Sequence, residues 1–318
     1  MAVYTHVSAE ALAAFLTRYE VGELVSAKGI AEGVENSNYL VDTTGGRFIL
    51  TLYEKRVSAD DLPFFLAMLD HLADRGLPVP RALKDGDGVA IRQLAGRPAC
   101  LIEFLPGVSI SHPTAAQARA AGAALARMHR ALADFAPTRA NALGPDGWSA
   151  LLTRCGSDLD RIEPGLAARL DAAREAVLAD WPDALPHSAI HADLFPDNVL
   201  MRGDTVTGLI DFYFACTDIR AYDLAVMHSA WAFDAAGAPA AAAVGRALVE
   251  GYDAVLPLAA EERRALPVLA GGACLRFAAT RAWDWLNTPA DALVTRKDPL
   301  AYVRRLDFYR DCGESAFA

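Results

Sequence analysis

The sequence is poor in cysteine and contains no long apolar run. Its five cysteines are far apart and form no C-x-x-C pair, which argues against a disulfide framework and against a cysteine-based zinc site. No apolar stretch approaches the ~20 residues that a bilayer-spanning helix needs, and the first residues lack the basic start and apolar run of a signal peptide. We therefore expect reduced thiols, a cytoplasmic location and no membrane partner.

Clustered positive charge is also missing. The 40 acidic residues outnumber the 30 lysines and arginines, which gives a net charge of −10, and the basic residues are scattered. Binding to a nucleic-acid backbone or to an anionic membrane needs clustered cations, so neither partner is expected. The chain is instead rich in apolar residues, with 53% hydrophobic and 22% charged positions among 318. These values are typical of globular enzymes, and the length favours two domains.

The first part of the chain mixes strand and helix patterns. Two β-rich runs are joined by Thr44-Gly45-Gly46, and the Gly-Gly pair predicts a hairpin. A helical spacing of apolar residues covers 60–76, and Gly76 ends it. We predict an N-terminal lobe, residues 1–103, built from a small antiparallel sheet and one crossing helix. Its strand-like runs lie at 38–43, 47–53, 88–94 and 98–105.

From residue 113 onward the pattern is helical. We predict a mostly α-helical C-terminal lobe, residues 104–318, which a short hinge around residues 103–107 joins to the first. The predicted fold class is therefore α+β with two lobes. The predicted helices cover residues 115–135, 148–160, 164–180, 222–235, 238–255, 261–285 and 298–312.

The stretch 191-HADLFPDN-198 carries the strongest chemical signal. It places Asp193 on a loop and Asn198 at the start of an apolar run, and Asp211 follows thirteen residues later inside the run Leu209–Phe212. A carboxylate in an apolar strand end is costly to bury unless it is paired, hydrogen-bonded or bound to a metal. Asn and Asp are oxygen ligands suited to Mg²⁺, whereas an Asp on the loop can accept a hydroxyl proton.

This pattern, H-x-D-x-x-x-x-N followed by the Asp of I-D-F, resembles the catalytic loop and metal-binding Asp of protein kinases. The form H-x-D-L-x-P-x-N is similar to that of the aminoglycoside phosphotransferases and choline kinases, which are small-molecule kinases on the protein-kinase-like fold. Within that family, 29-GIAEGVENSNYLVDTTGGRFILTLYEKR-56 and 274-CLRFAATRAWDWL-286 resemble the bacterial homoserine kinases. The resemblance covers nearly the whole chain.

The resemblance implies ATP and Mg²⁺ as cofactors and L-homoserine as the phosphoryl acceptor. It implies that Asp193 accepts or orients the acceptor's hydroxyl proton, with His191 ordering the catalytic loop, and that Asn198 and Asp211 hold Mg²⁺. We expect Asp223, in 220-RAYDLAV-226, to tie the catalytic loop to the C-terminal lobe.

For the nucleotide, the resemblance implies that a loop at Gly33, Ser37 and Asn38 covers the phosphates. The backbone of Glu103 and Leu105 would meet the adenine edge. The loop has neither a G-K-[ST] sequence nor the full G-x-G-x-x-G of protein kinases.

The nucleotide-binding lobe departs from the kinase pattern at one further position. Thr51 stands where most kinases carry a lysine on the third strand. Lys28 and Lys55 are the nearby cations, and the predicted helix at 60–76 offers acids but no Glu. The usual Lys–Glu pair is therefore left unassigned.

The acceptor site is predicted on the segment 274–285. A zwitterionic acceptor needs a cation for its carboxylate, which arginine binds in bidentate fashion, and a carboxylate for its ammonium. Arg276, Arg281 and Asp284 supply these groups. Helical geometry places the two arginines roughly 140° apart, and Asp284 lies between them. The spacing leaves open which side of the helix faces the site.

Two other functions fit the same sequence. A kinase of another small alcohol, such as an amino alcohol, an aminoglycoside or methylthioribose, would keep Asp193, Asn198 and Asp211. An inactive nucleotide-binding pseudokinase would explain the absence of a strand lysine at Thr51. The arginine-bearing helix favours an anionic acceptor over an aminoglycoside, and the presence of Asp193, Asn198 and Asp211 argues against a pseudokinase. A monomer and a homodimer are equally compatible with the sequence.

Overall fold

The chain divides into two units by its internal contacts, Met1–Pro106 and Gly107–Ala318, and the boundary lies three residues beyond the predicted one. The computed structural model describes residues 5–30, 36–54, 58–182, 184–288 and 296–318. Within these ranges no helix is both long and apolar enough to cross a membrane.

The first unit is built on a five-stranded antiparallel sheet of order β1-β2-β3-β5-β4. Thr43 pairs with Gly46 across the predicted hairpin turn, which sets the register of β2 and β3. Alternate residues of β2 point into a core that contains Val41, Leu50 and Leu101, all fully buried. The elements of this unit are α1 (Ala9–Leu16), β1 (Leu24–Gly29), β2 (Asn36–Thr43), β3 (Gly46–Tyr53), α2 (Leu62–Asp74), β4 (Arg92–Leu94) and β5 (Arg97–Glu103).

The second unit is mostly helical, and it contains two short antiparallel ribbons, β6 with β9 and β7 with β8. The sheet of the first unit and the helices of the second confirm the predicted fold class. The elements are α3 (Ala115–Ala131), α4 (Pro145–Cys155), α5 (Leu166–Ala179), β6 (His187–Ile190), β7 (Val199–Arg202), β8 (Thr205–Leu209), β9 (Cys216–Ile219), α6 (Arg220–Trp231), α7 (Ala242–Asp253), α8 (Ala260–Asn287) and α9 (Leu300–Cys312).

Helix α8 runs through the interior of the second unit. It is 28 residues long, it packs against α4, α5, α6 and α9, and residues 269–279 are buried without interruption. Apart from Arg276, this buried segment is apolar around its whole circumference, as expected for an element surrounded by others. A polar side chain on this segment therefore points into the protein, whichever way it faces.

Helices α3 and α7 approach each other unusually closely. A Cβ atom placed on Gly122 would lie 2.0 Å from the Leu248 carbonyl oxygen, and one on Gly251 would lie 2.0 Å from the Arg119 carbonyl oxygen. Each glycine therefore removes the side chain at the point where the other helix passes. This contact brings His129 of α3 within a 2.9 Å hydrogen bond of the Tyr252 hydroxyl on α7.

Candidate active site

The catalytic loop, residues 191–198, joins β6 to β7. Its end is fixed by the Ile210 amide, which donates to the Asn198 carbonyl over 3.0 Å. This bond brings Asp211, the next residue along, beside Asn198. The Asn198 side-chain amide donates to the Asp193 carbonyl oxygen at 2.8 Å and lies 3.4 Å from Asp193 Oδ2. The structure therefore brings together the three residues predicted to carry the chemistry.

His191 is fully buried and acts on the loop from inside. Its Nδ1 accepts from the Asp193 amide at 3.2 Å, so its Nε2 carries the proton and donates to the Ile210 carbonyl at 3.0 Å. Burial lowers the pKa of His191, although the charge of Asp223 opposes this effect. A neutral imidazole thus joins the catalytic loop to the residue before Asp211, which fits the ordering role predicted for it.

Asp223 anchors the start of the loop, as expected from the sequence. Its carboxylate is fully buried, and it accepts from the His191 amide at 2.7 Å and from the Ala192 amide at 2.8 Å. His129 Nε2 lies 3.0 Å from the same carboxylate. Burial alone would raise the pKa of Asp223, but the hydrogen bond and charge of His129, with further help from His191, outweigh it and lower the pKa.

Two residues of the site adopt the left-handed backbone region that favours glycine. Ala192 has φ 62°, and Asp211 has φ 65° and ψ 57°. This conformation costs a residue with a Cβ atom roughly 1–2 kcal/mol, so the surrounding contacts must maintain it. Ala192 directly precedes Asp193, and Asp211 is itself a predicted metal ligand, so both strained positions involve a predicted functional carboxylate.

Arg276 and Arg281 of α8 occupy different environments. Arg276 is 1% exposed, and its Nη1 donates to the Ala192 carbonyl oxygen. Arg281 is partly buried, donates to the Asp298 carbonyl at 3.1 Å and lies over the Tyr302 ring at 4.5 Å. Asp284, the third predicted acceptor residue, is also partly buried one turn further along the helix.

The charge of Asp193 reaches both arginines. Burial acts to lower the pKa of Arg276, but Tyr222 and Asp193 outweigh it and raise the pKa. Burial lowers the pKa of Arg281, and Tyr302, Asp298 and Asp193 oppose the shift. The predicted base and the predicted acceptor arginines are therefore electrostatic neighbours.

The predicted nucleotide residues of the first unit take part in its sheet. Ser37 is fully buried, and its hydroxyl donates to Glu54 at 2.8 Å and accepts from the Thr5 amide at 3.0 Å. Thr51 donates to the Asn38 side-chain oxygen at 2.8 Å. The hydroxyl at the usual lysine position is thus bonded to the strand that carries the predicted phosphate contacts. Gly33 lies outside the described residues.

The predicted adenine contacts lie at the end of the same sheet. The Glu103 amide donates to the Arg81 carbonyl at 2.9 Å, and its carboxylate accepts from the Arg81 amide at 3.1 Å. Leu105 follows β5 and is partly buried. Lys28, one of the two candidate cations, is exposed on β1, and Lys55 lies outside the described residues.

Comparison with known proteins decides the family. A profile of the phosphotransferase enzyme family matches residues 26–258. The homoserine kinase of Gluconacetobacter diazotrophicus is 56% identical over 312 residues, which cover 98% of this chain and 97% of that protein. The homoserine kinase of Acidiphilium cryptum is 55% identical over 316 residues, with 99% of each chain covered. The chain belongs to the phosphotransferase enzyme family. The predicted family is confirmed.

Solved structures of small-molecule kinases share the fold. An amicoumacin kinase superposes with a TM-score of 0.71 at 15% identity, covering 96% of this chain and 92% of that one. A choline kinase from Cryptosporidium parvum gives 0.68 at 13% identity, covering 96% and 95%. Membership of this kinase family makes the protein an enzyme that uses ATP and acts on a small molecule.

The residues present fit a magnesium ion that binds together with nucleotide phosphates. Among the described residues, no group of three or more His, Cys, Asp or Glu side chains could hold a metal by itself. Mg²⁺ commonly binds through one or two carboxylates and completes its shell with substrate phosphates and water. Because the Asn198 amino group is committed to Asp193, its side-chain oxygen is the atom it can offer, and Asp211 adds a carboxylate.

His129, Tyr252 and the inward direction of Arg276 escaped the sequence analysis. His129 lies in an Ala-rich helix with no motif around it, and a lone histidine on a buried helix face carries no signal of its own. The direction of Arg276 could not be predicted because helical spacing gives relative angles only. The apolar residues on both sides of Arg276 in α8 were the one available signal.

Proposed function

We propose that this protein transfers the γ-phosphoryl group of Mg–ATP to the side-chain hydroxyl of L-homoserine, giving O-phospho-L-homoserine and ADP. The observation that supports it most is the level of identity, 51–56% over at least 97% of the chain, to proteins named homoserine kinase. The catalytic loop supports the same reaction, because its Asp193 and Asn198 lie beside the segment that carries Asp211.

In this reaction the Asp193 carboxylate accepts the proton of the acceptor hydroxyl. The hydroxyl oxygen forms a bond to the γ-phosphorus, the bond from that phosphorus to the β–γ bridging oxygen breaks, and ADP leaves with the bond's electrons. Asn198 orients Asp193 through its amide, and His191 fixes the amide of the same residue. When bound at Asn198 and Asp211, Mg²⁺ supplies neutralisation of phosphate charge. Positioning by the protein supplies much of the remaining rate.

For the nucleotide, we propose contacts through backbone groups of the segment Gly33, Ser37 and Asn38 and through the backbone of Glu103 and Leu105. Backbone contacts are compatible with side chains that serve the sheet, as those of Ser37 and Asn38 do. They are also compatible with a loop that has neither a G-K-[ST] sequence nor the full G-x-G-x-x-G.

For the acceptor, we propose that Arg281 binds the carboxylate of L-homoserine and that Asp284 binds its ammonium group. Arg281 is only partly buried and donates to a backbone carbonyl rather than to a carboxylate. Its charge is therefore available to an anionic ligand near Asp193. An amino alcohol without a carboxylate would leave this charge unused.

The test is an ADP-release assay with Mg–ATP and matched acceptors. L-homoserine should be turned over selectively, and 3-aminopropan-1-ol, which is homoserine without its carboxylate, should lose at least ~100-fold in kcat/KM. Arg281→Met should raise the KM for L-homoserine and shrink the difference between the two acceptors. Preferential turnover of an amino alcohol, choline or kanamycin would overturn the acceptor assignment, and nucleotide binding without any turnover would favour the pseudokinase.

We also propose a cytoplasmic location, where ATP and free amino acids occur together. Four of the five free cysteines are buried, which agrees with a reducing compartment. The oligomeric state, monomer or homodimer, stays a prediction, and light scattering of the purified protein distinguishes the two.

A further inference from the structure

Arg276 is a buried charge that contacts the catalytic loop instead of a carboxylate. Within the described parts of the chain it forms no salt bridge, and its Nε atom is buried without a hydrogen-bond partner. Burying an arginine in this way is costly, because its charge loses solvation without an ion-pair partner. Such a residue is expected only where its remaining contacts are important for structure or function.

The hydrogen bond of Arg276 falls on the most constrained peptide of the loop. Its Nη1 donates to the carbonyl of Ala192, the residue with φ 62° that precedes Asp193. The nitrogen of the same peptide, the Asp193 amide, donates to His191. The peptide before it is held by Asp223 through the Ala192 amide. Ala192 is thus held by an anion on its amide and by a cation on its carbonyl.

The flat face of Arg276 contacts the other functional segment. Its guanidinium carbon lies 5.2 Å from the ring centre of Phe214, three residues after Asp211, and 4.7 Å from that of Phe277 on α8. One side chain therefore touches both the loop that carries Asp193 and the turn that follows Asp211. Both segments contain a residue in the left-handed region.

We propose that Arg276 is a positioning residue for phosphoryl transfer, which fixes the Ala192–Asp193 peptide and couples it to the turn after Asp211. The proposal rests on the proposed function, in which Asp193 acts on the acceptor hydroxyl. It assigns Arg276 a role different from the substrate contact that the sequence predicts. In this role Arg276 sets the direction of the Asp193 side chain without touching the substrate.

Arg305 provides a matched control. It is 4% exposed, and among the described residues it donates only to the carbonyls of Ser229 at 2.8 Å and Asp234 at 2.7 Å. It also lies over the rings of Phe233 and Tyr302. Its chemistry and burial match those of Arg276, but its hydrogen bonds go to α6 and the segment after it. Loss of either arginine should destabilise the fold, whereas only loss of Arg276 should misalign Asp193.

The experiment compares Arg276→Met and Arg276→Lys with Arg305→Met and Arg305→Lys in the full-length enzyme. Arg276→Met should lower kcat by about 100-fold, the size expected for a misplacement near 1 Å, while the KM for L-homoserine stays within about threefold. Arg276→Lys, which can still donate to the Ala192 carbonyl, should recover part of the loss. Both Arg305 variants should keep kcat within about twofold when corrected for the folded fraction.

A second readout needs no turnover. Amide hydrogen exchange of peptides covering residues 190–198 in the ligand-free protein should accelerate in Arg276→Met and stay unchanged in Arg305→Met. Because glycine adopts positive φ without strain, Ala192→Gly should reduce the kcat loss caused by Arg276→Met. A merely structural role of Arg276 would not produce this coupling.

Three results would overturn the proposal. A raised KM for L-homoserine with unchanged kcat in Arg276→Met would make Arg276 a substrate ligand. Equal losses in the Arg276 and Arg305 variants would reduce its role to general stability, as would unchanged exchange over residues 190–198. Asp193→Asn is assayed beside them, since full activity in that variant would refute the role of Asp193 on which the proposal rests, whatever the Arg276 variants show.

Discussion

The two units of this protein bury different kinds of polar side chain. The first buries mainly neutral groups, whereas the second buries titratable and charged ones. Those of the first unit are Asn36, Ser37, Thr43, Thr51 and Asp85. Those of the second are His129, His191, Asn198, Asp223, His228, Ser229, Glu262, Arg276 and Arg305.

The partners of these groups differ as well. In the first unit, Thr51 bonds to Asn38 and Ser37 to Glu54, all within the paired strands β2 and β3 or at their ends. In the second unit, Asp223 of α6 bonds to a helix that is 94 residues distant in sequence and to a loop 32 residues distant. In the first unit these bonds join β2 to β3, although Ser37 also accepts from the Thr5 amide, 32 residues away in sequence. The second uses buried charges to hold the catalytic loop from several elements, so we expect perturbations there to have larger effects.

The largest effect is expected at Asp193. Asp193→Asn should lower kcat by about 10²–10⁴-fold, the usual contribution of a positioned proton acceptor. The affinity for ATP, measured by calorimetry, should stay within about threefold because Asp193 acts on the acceptor. A variant that keeps near-normal kcat would place the proton acceptor elsewhere.

The next effect is on stability. Asp223→Asn should lower the free energy of unfolding by about 3–5 kcal/mol, because the change weakens charge-assisted bonds from two loop amides and leaves a buried donor unpaired. Urea denaturation measures it. Asp218→Asn is the control, since Asp218 on β9 is only partly buried and accepts from Asn141 at 2.6 Å. A loss at Asp223 no greater than at Asp218 would argue against a central anchoring role.

Histidine burial should make the second unit sensitive to acid. Burial lowers the pKa of His228 to about 3, so the unfolded chain binds a proton near pH 6.5 and the folded chain does not. The contribution of neutral His228 to the free energy of unfolding is therefore complete above pH 6.5. It falls by about 1.4 kcal/mol per pH unit as the pH drops toward 3. His228→Gln should make the slope between pH 6.5 and 4.5 shallower by up to that amount.

The same denaturation series with His187→Gln serves as a control, because His187 is exposed on β6. The slope should not change in that variant. An identical slope in His228→Gln and in the unmodified protein would mean that His228 is not the group that resists protonation.

The smallest effect is expected in the first unit. Ser37→Ala removes one buried hydroxyl that bonds to Glu54 and Thr5, and it should cost about 1–3 kcal/mol of stability. The KM for ATP should stay within about twofold, because we propose nucleotide contacts through the backbone. Ser26→Ala, whose hydroxyl is exposed, should change neither quantity. A KM for ATP raised fivefold or more in Ser37→Ala would show a side-chain contact.

Much of the fold could be predicted from local patterns. Helix α8 was expected at 261–285 and spans Ala260–Asn287, and the hairpin of β2 and β3 lies at the predicted turn. Strand β1 was missed because its interior residues are exposed and its sequence, LVSAKG, lacks alternation. Strand β9 was missed because CTDI is too short to show a period. Both strands exist through pairing with neighbours, which a local pattern does not contain.

The residues of the site also divide into those that a local pattern predicts and those that it does not. Asp193, Asn198 and Asp211 could be predicted because their spacing along one segment carries the chemistry. The contacts of His129 and Arg276 could not, since His129 reaches Asp223 and Arg276 reaches the catalytic loop from helices that are 94 and 84 residues away in sequence. Neither residue has a neighbour that marks it. Only the packing of α3 and α8 places them at the loop and at its anchor Asp223.

The close contact of α3 and α7 has a genetic consequence. Gly122 and Gly251 lie far along the chain from the catalytic loop, yet they set the separation at which Tyr252 reaches His129, and His129 in turn meets Asp223. A single nucleotide change that replaces either glycine by alanine would push the two helices apart. Loss-of-function alleles are therefore expected at Gly122 and Gly251, which neither bind a substrate nor lie close to the catalytic loop in sequence.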